Sequence, residues 1–177
     1  MVKRVLKFIA YLLFFLLALI VFLPKESLYY LAENQIKQFD IIVSNESVKE
    51  QVLSLKIENL ELSLKGIESA TMESMDIELL LLYNVIEIKN ISLSSVVDDY
   101  LPSRIERAKL FYTPFNPFIL KATGEGEFGS FHASFNIVER NVTLILLPTK
   151  MMQKKYKKLL KQFKKSKTGE YIYAKAL

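Results

Sequence analysis

The alternation of apolar and polar residues between Val52 and Ser95 contains one pattern written twice. The first copy runs from Leu55 to Ser63 (LKIENLELS), and the second begins 31 residues later at Ile86 (IEIKNISLS). In both copies the alternation resumes one residue out of phase after an Asn. Strict alternation is typical of a strand with one dry face, and a one-residue slip indicates a bulge or a bend between two strand segments. We therefore predict a repeated β unit with a continuous apolar face.

The same alternation predicts strands over most of the chain after Asp40. Pro and Gly residues, together with short polar clusters, mark the turns between them. The run Leu79–Leu82 is apolar at every position, so we expect that part of its strand to be covered on both faces. The predicted strands are 41–44, 52–57, 60–65, 75–83, 85–95, 107–112, 118–128, 130–138, 142–147 and 170–176. The fold class is mainly β, an open and curved antiparallel sheet.

Apolar residues at alternating positions of the first strands define the predicted apolar face. Such a face must be covered by helices, by a partner or by lipid. The sequence does not distinguish a groove from a closed core for the residues assigned to it: Leu53, Leu55, Ile57, Leu62, Leu64, Ile77, Leu79, Leu81, Ile86, Ile88 and Leu93.

The first 24 residues form the strongest hydropathy signal and predict a transmembrane anchor. Phe8 to Leu23 are 16 uncharged residues, and counting from Val5 gives about 28 Å of helix, close to the thickness of a bilayer core. Basic residues precede the run, which predicts a cytoplasmic N-terminus and an extracytoplasmic domain over 25–177. A cleaved signal peptide is the competing interpretation, but no small-x-small cleavage site precedes Pro24.

Two segments outside the strands show helical periodicity. Over about 27–39, apolar residues recur at helical spacing from Leu28 to Phe39, which predicts an amphipathic helix that packs on the sheet or rests on the membrane. Over about 149–166, Thr149 is the expected cap, and the apolar stripe starts at Met152. We expect both helices to cover the ends of the sheet.

The second of these helices carries a dense set of lysines. They fit a solvated outer face, an anionic membrane surface, or another acidic partner. Nucleic acid is disfavoured because no aromatic residues are interleaved on the charged side and the predicted location is extracytoplasmic. The lysines assigned to this membrane-surface or partner helix are Lys150, Lys154, Lys155, Lys157, Lys158, Lys161, Lys164 and Lys165.

The net charge of +5 conceals an uneven distribution. Half of the 24 basic residues lie at the extreme N-terminus and in 150–167, so the rest of the chain is acidic. The chain has no Cys, and its five Gly form no phosphate-binding motif. The single histidine, His132, is expected to be an ordinary strand residue, and the one adjacent acid pair, Asp98-Asp99, a solvated loop. We therefore expect no catalytic residues, no metal site and no cofactor.

Three Asn-x-Ser/Thr triplets occur, at Asn45, Asn90 and Asn141. Asn90 lies in the repeat and is explained by the bend. Asn141 follows Glu139 by two residues, which matches the acid-extended sequon of some bacterial oligosaccharyltransferases, and it falls at a predicted turn. Asn141 is thus a candidate for glycosylation, although turn propensity also explains it.

Several of these features together resemble the AsmA-like group, and within it the type II secretion protein N branch. They are the anchor, the Leu-Pro-x-Glu segment ending at Glu26, the repeated Asn-Leu-x-Leu strands, the Gly124–Gly129 meander and the late Gly-Glu-Tyr at Gly169. The resemblance implies a taco-like sheet in the bacterial periplasm, held in the inner membrane by a single pass. It also implies a role in envelope assembly, secretion or lipid movement, although the chain is shorter than is usual for that group.

Two functional hypotheses follow. In one, the protein is a structural or assembly component of a secretion or envelope machine that binds protein partners through its sheet edges. In the other, it binds or transports phospholipid or lipopolysaccharide on the apolar face. An anchored jelly-roll bridge protein of lipopolysaccharide export is a third plan, but it lacks the Asn-centred repeat.

Overall fold

The protein folds around one antiparallel sheet. A computed structural model describes residues 2–95 and 102–176, and the Asp98-Asp99 pair lies outside the described residues. The chain begins with two helices, α1 (Val2–Phe22) and α2 (Lys25–Lys37). The strands follow as β1 (Ile41–Ser44), β2 (Ser47–Glu50), β3 (Ser54–Leu64), β4 (Ile67–Leu79), β5 (Asn84–Leu93), β6 (Arg104–Tyr112), β7 (Ile119–Gly126), β8 (Gly129–Asn136) and β9 (Asn141–Pro148). Two short helices, α3 (Lys150–Lys155) and α4 (Lys157–Leu160), precede β10 (Lys164–Lys165) and β11 (Tyr171–Ala176).

The sheet is an open meander, which confirms the mainly antiparallel β class. Its strand order is β1-β3-β4-β5-β6-β7-β8-β9-β11-β10, and β2 also pairs with β3. β1 and β2 therefore share one edge, each pairing with half of β3. Sequential neighbours in a single sheet differ from the two-sheet Greek-key pattern of a jelly roll, so the jelly-roll plan is wrong.

The two Asn residues of the repeat bend the strands without an inserted residue. Asn59 and Asn90 have positive φ values of 58° and 50°. The strand pairing keeps the same register before and after each Asn. Glu73 of β4 lies opposite Asn59 on β3 and opposite Asn90 on β5. A left-handed residue, which Asn tolerates better than most, turns the following side chains to the other face. The repeat therefore contains a bend rather than a bulge, and β3 is one strand rather than two.

The four-leucine run does not form a strand covered on both faces. β4 starts earlier than predicted, at Ile67, and ends at Leu79. Leu81 has a positive φ of 62°, and the Asn84 side chain donates a hydrogen bond to its carbonyl oxygen, so the chain reverses here. Leu82 is consequently 53% exposed, and the expectation of double coverage is wrong.

Helix α2 packs on the sheet with a side that is rotated from the predicted one and keeps only Ile36 of the predicted stripe half-buried. Lys25 and Glu33 are buried and Tyr29 lies against the sheet, whereas Leu31 and Phe39 of the predicted apolar stripe are 60% and 71% exposed. Lys25 faces inward because the Glu50 carboxylate lies 3.9 Å from its ammonium and accepts its backbone N–H at 3.2 Å.

The basic segment forms two short helices rather than one helix over 149–166. Thr149 caps α3 as predicted, since its hydroxyl accepts a hydrogen bond from the Met152 backbone N–H at 3.2 Å. The helix breaks at Tyr156, whose φ and ψ are −108° and 38°. The segment has no acidic residue to pair with lysines four positions away, so like charges oppose a continuous helix. Lys164 and Lys165, predicted as helical, form β10.

Candidate functional site

One face of the sheet is apolar across its eight inner strands, from β3 to β9 and β11. Directly paired residues of antiparallel strands point to the same side, so the register identifies each face. One row across eight strands is apolar throughout: Leu55, Ile77, Ile86, Leu110, Ala122, Ala133, Leu144 and Tyr173. The adjacent row of the opposite face reads Lys56, Asp76, Glu87, Lys109, Thr123, His132, Ile145 and Ile172, and is polar over its first six strands.

Helices cover the two sides of this face and form two separate cores. On the β3 side, Leu55, Ile57 and Leu60 are at most 1% exposed, and Tyr29 of α2 packs against them. The second core, on the β9 side, consists of Phe128, Leu146, Met152, Tyr156 and Leu160. The face is thus closed by α2 on one side and by α3 and α4 on the other.

Between these two cores the apolar face is only partly covered. Ile86, Ile88 and Ala108 are half-buried, and Leu110 is 39% exposed. The pairing places these residues on β5 and β6, whereas α2 lies against β1 to β3 and α3 against β9. The middle of the sheet therefore presents apolar side chains beyond the reach of both helical caps.

A cavity of about 310 Å³ lies under α3 and α4 at the border of this open region. Its volume falls at the lower end of the range for small-molecule sites. Every lining residue is apolar: Leu93, Pro102, Ile105, Phe128, Phe131, Leu144, Leu146, Met152, Leu159 and Phe163. Phe131, Leu144 and Leu146 also belong to the apolar face, so the cavity and the face share their walls.

The predicted apolar residues divide into three groups in the structure. Leu55 and Ile57 belong to the closed core, whereas Leu62, Ile77, Leu79, Ile86, Ile88 and Leu93 lie half-buried in their strands. Leu53 and Leu81 lie in loops, with Leu53 53% exposed, and Leu64 at the end of β3 is 46% exposed. Leu53 and Leu81 thus lie outside the strands that form the face, whereas Leu64 follows Leu62 by two residues in β3 and lies on the same side of the sheet, at the exposed end of the strand.

Most residues of the cavity were missed by sequence reasoning. Of its ten lining residues, Leu93 alone was assigned to the apolar face from sequence. The alternation in β8 and β9 and the stripe through Met152, Leu159 and Phe163 carry the missing signal. The alternation and the stripe do not show which strands pair, so they do not show that α3 and α4 lie over these strands.

Ion pairs bind the polar face of the early strands together. Glu58 lies 2.7 Å from the Lys49 ammonium and 2.8 Å from that of Lys56, and the hydrogen bonds from Lys49 and Lys56 lower the pKa of Glu58 to about 2. Glu87 contacts Lys109 at 3.0 Å and Arg107 at 3.2 Å. This face is therefore a cross-linked outer surface, distinct from the apolar one.

Under α2, the hydroxyl of Tyr29 is buried and has no hydrogen-bond partner among the described residues. Its burial, together with the nearby carboxylates of Glu46 and Glu33, raises the pKa of Tyr29 to about 12. The group is neutral at ordinary pH, and the ring serves to pack on the closed core.

The lysines of α3, α4 and β10 are all exposed and lie outside the apolar cavity that these helices cover. Met152, Tyr156 and Leu160 point inward from the same segment. The segment is thus amphipathic across its thickness, with an apolar inner side on the cavity and a cationic outer side.

The remaining sequence candidates lie on the opposite face or at a turn. His132 is exposed between Thr123 and Ile145 of the neighbouring strands. Within residues 2–95 and 102–176, no group of three or more His, Asp and Glu side chains is placed to hold a metal ion. Asn141 begins β9, and its amide donates a hydrogen bond to Glu139 at 2.8 Å.

Comparisons with protein-family models, with curated proteins and with solved structures find no match to this chain.

Proposed function

We propose that the protein is a membrane-anchored lipid-binding protein that holds acyl chains in a groove along the apolar face of its sheet. The observation that carries the proposal is the all-apolar cavity that shares its walls with the apolar face and borders the uncovered middle of that face. An acyl chain requires such a surface because each methylene removed from water contributes about 0.8 kcal/mol. A polar ligand would leave its hydrogen-bonding groups unpaired there.

The cationic outer side of the late helices supports the same proposal. A phospholipid or lipopolysaccharide carries anionic phosphate next to its acyl chains. The exposed lysines on α3 and α4 surround the cover of the cavity and attract such a headgroup, while the cavity accepts a chain. Both parts of an amphiphilic ligand therefore have a complementary surface.

The proposed location follows from α1 and from the resemblance. Val2–Phe22 is long and apolar enough to cross a membrane, and none of its residues is buried against the rest of the chain. The basic residues at its start favour a cytoplasmic N-terminus. We place the bulk of the chain in the bacterial periplasm, attached to the inner membrane by a single pass.

A second candidate function is that of an assembly component of a secretion or envelope machine. Its support is that both outer strands of the sheet have unpaired stretches. In the described residues β2 pairs with β3 alone, and residues 173–176 of β11 pair with β9 alone. Such edges can accept a strand from a partner protein.

The test of the lipid proposal compares two adjacent residues of β9 that point to opposite faces. The full chain is produced in a bacterium, purified in detergent, and examined by native mass spectrometry after release from the micelle. We expect the wild type and Ile145→Asp to retain lipid, and Leu144→Asp to lose it, because Leu144 lines the cavity and Ile145 does not.

Circular dichroism shows whether each variant is folded. Lipid held only around α1 is equal in the two variants, so the difference between them reports on the apolar face. A lipid-free wild type, or equal lipid content in two folded variants, contradicts lipid binding and directs attention to protein partners at the sheet edges.

A further inference from the structure

Four loops at one end of the sheet expose large apolar side chains. The meander places the connections 51–53, 80–83, 113–118 and 137–140 at the same end of their strands. Large apolar side chains are between 44% and 80% exposed at eight positions of these loops: Val52, Leu53, Leu82, Tyr83, Phe115, Phe118, Ile137 and Val138. We call this row of four loops the apolar rim.

Hydrogen bonds join three of the four loops of the apolar rim, 80–83, 113–118 and 137–140. The Thr113 hydroxyl donates to the Leu82 carbonyl oxygen at 2.9 Å, and the Ile137 backbone N–H donates to the Phe118 carbonyl oxygen at 2.8 Å. The rim extends from β3 to β9, about 29 Å at a strand spacing of about 4.8 Å. It is thus a connected edge rather than a set of scattered exposed residues.

The composition of the apolar rim differs from that of the opposite end of the sheet. Glu139 and Arg140 are the only charged residues in its four loops. At the opposite end, Lys65 lies in the β3–β4 turn and the lysine-rich α3 follows the end of β9. A contiguous apolar surface of this kind marks an interaction site, and its low charge favours an apolar partner.

The membrane helix leaves the domain at the apolar rim. Lys25 is 2% exposed and is held by Glu50, which ends β2 directly before the 51–53 loop. α1 ends at Phe22, three residues before Lys25. Three residues span at most about 10 Å, so the end of α1 lies within about that distance of Lys25. The Lys25 backbone N–H in turn donates to the Glu50 carboxylate at 3.2 Å, beside the first loop of the rim.

We propose that the apolar rim is a membrane-docking edge that inserts its side chains into the leaflet from which α1 emerges. The inference rests on the proposed function in one respect, the role of α1 as a bilayer anchor. Aromatic and aliphatic side chains at the boundary between headgroups and acyl chains bind through apolar burial. Docking at this edge brings the apolar face to the bilayer, where lipid enters without crossing water.

The absence of tryptophan from the chain makes the proposal directly measurable. Each substitution introduces a single Trp, which is excited selectively over the nine Tyr of the chain. The full chain is reconstituted in phosphatidylcholine vesicles with or without brominated acyl chains. Phe115→Trp and Val138→Trp probe the rim. Ile67→Trp is the matched control, because Ile67 is 57% exposed at the opposite end of β4. Leu13→Trp in α1 reports on the anchor.

We expect brominated lipid to quench Phe115→Trp, Val138→Trp and Leu13→Trp, with blue-shifted emission, and to leave Ile67→Trp unchanged. Since the rim carries little charge, the quenching of its two reporters persists in high salt. If only Leu13→Trp is quenched, the docking edge is refuted while lipid binding by the apolar face stands.

Three further outcomes also decide between the proposals. If Leu13→Trp is not quenched, the anchor is wrong and the docking edge falls with it. A blue shift at the rim that depends on protein density and not on brominated lipid assigns the rim to contact with a second copy of the chain, and refutes membrane docking. Quenched rim reporters in a protein whose apolar face holds no lipid refute the proposed function alone.

Discussion

Substitutions of two residues on the same face of the sheet, Ile57 and Leu110, test whether the middle of that face is a closed core or the open surface that the proposed lipid binding requires. Ile57 is completely buried, whereas Leu110 is 39% exposed in the middle of the sheet. Substitution by Ala removes three carbon atoms from either residue. At about 0.8 kcal/mol per methylene, the transfer term for Ile57→Ala is about 2.4 kcal/mol, and a residual cavity brings the loss to about 3–4 kcal/mol.

The same estimate for Leu110→Ala is smaller, because the side chain is already partly in water. Scaling the transfer term by its buried fraction gives about 1.5 kcal/mol, without a cavity term. For a chain of this length, 1 kcal/mol corresponds to about 2–4 °C in Tm. We therefore expect Tm to fall by about 10 °C for Ile57→Ala and by about 4 °C for Leu110→Ala.

The assay is thermal unfolding of the full chain in detergent, followed by circular dichroism, with lipid content measured on the same samples. Replacement by Asp sharpens the contrast. Ile57→Asp buries an unpaired charge and should abolish folding, whereas Leu110→Asp should fold and lose lipid. If Leu110→Ala lowers Tm as much as Ile57→Ala, the middle of the face is a closed core, and the reasoning that assigns it to lipid is refuted.

Three further predictions concern the backbone and the polar face. Asn59→Ala should lower the free energy of unfolding in urea by about 1–2 kcal/mol and Asn59→Gly by much less, because φ is positive at this position. Equal losses in the two variants would contradict a conformational role for Asn59. The pKa of Glu58 is lowered from 4.5 to about 2, so the contribution of this carboxylate to stability is present above pH 4.5 and is lost as pH falls towards 2. Glu58→Gln should therefore reduce the fall in Tm on acidification over that range. The same dependence of Tm on pH in the wild type and the variant would rule this out. Gly129→Ala should destabilise the fold by more than about 3 kcal/mol, since a Cβ there would lie 2.0 Å from the Leu147 carbonyl oxygen. Gly66→Ala should cost about 1 kcal/mol, because φ is positive there but the surrounding space is open. Similar losses in the two variants would show that the structure relieves the close approach at Gly129.

Local patterns were sufficient to predict the class of the elements. The strand at 41–44 and the cap at Thr149 are confirmed, and β5 and the last strand are correct to within two residues. These features depend on alternation and on hydrogen bonds between near neighbours in the chain. The uninterrupted apolar run within the first 24 residues also predicted α1, because its length in helical form is close to the thickness of a bilayer core.

Errors arose where a contact with a distant part of the chain decided the outcome. The apolar stripe of α2 was expected to face the sheet, but Glu50 of β2 draws Lys25 inward, and only Ile36 of the stripe stays half-buried. The leucine run was expected to be covered twice, but a turn at Leu81 exposes part of it. In the first case the Glu50 carboxylate, and in the second the Asn84 amide, holds the backbone or side chain in place. A polar contact, not the apolar pattern, therefore sets the orientation of these side chains.

The sequence by itself determined the β class, the apolar N-terminal helix and the existence of an apolar face, because each depends on periodicity or on a local run of one residue type. Only the tertiary structure decided where that face is closed, where it stays open, and that the apolar rim lies beside the end of α1. These properties depend on strand pairing and on the placement of helices over the sheet. Residues such as Leu93 and Leu159, far apart in the chain, line one cavity for that reason.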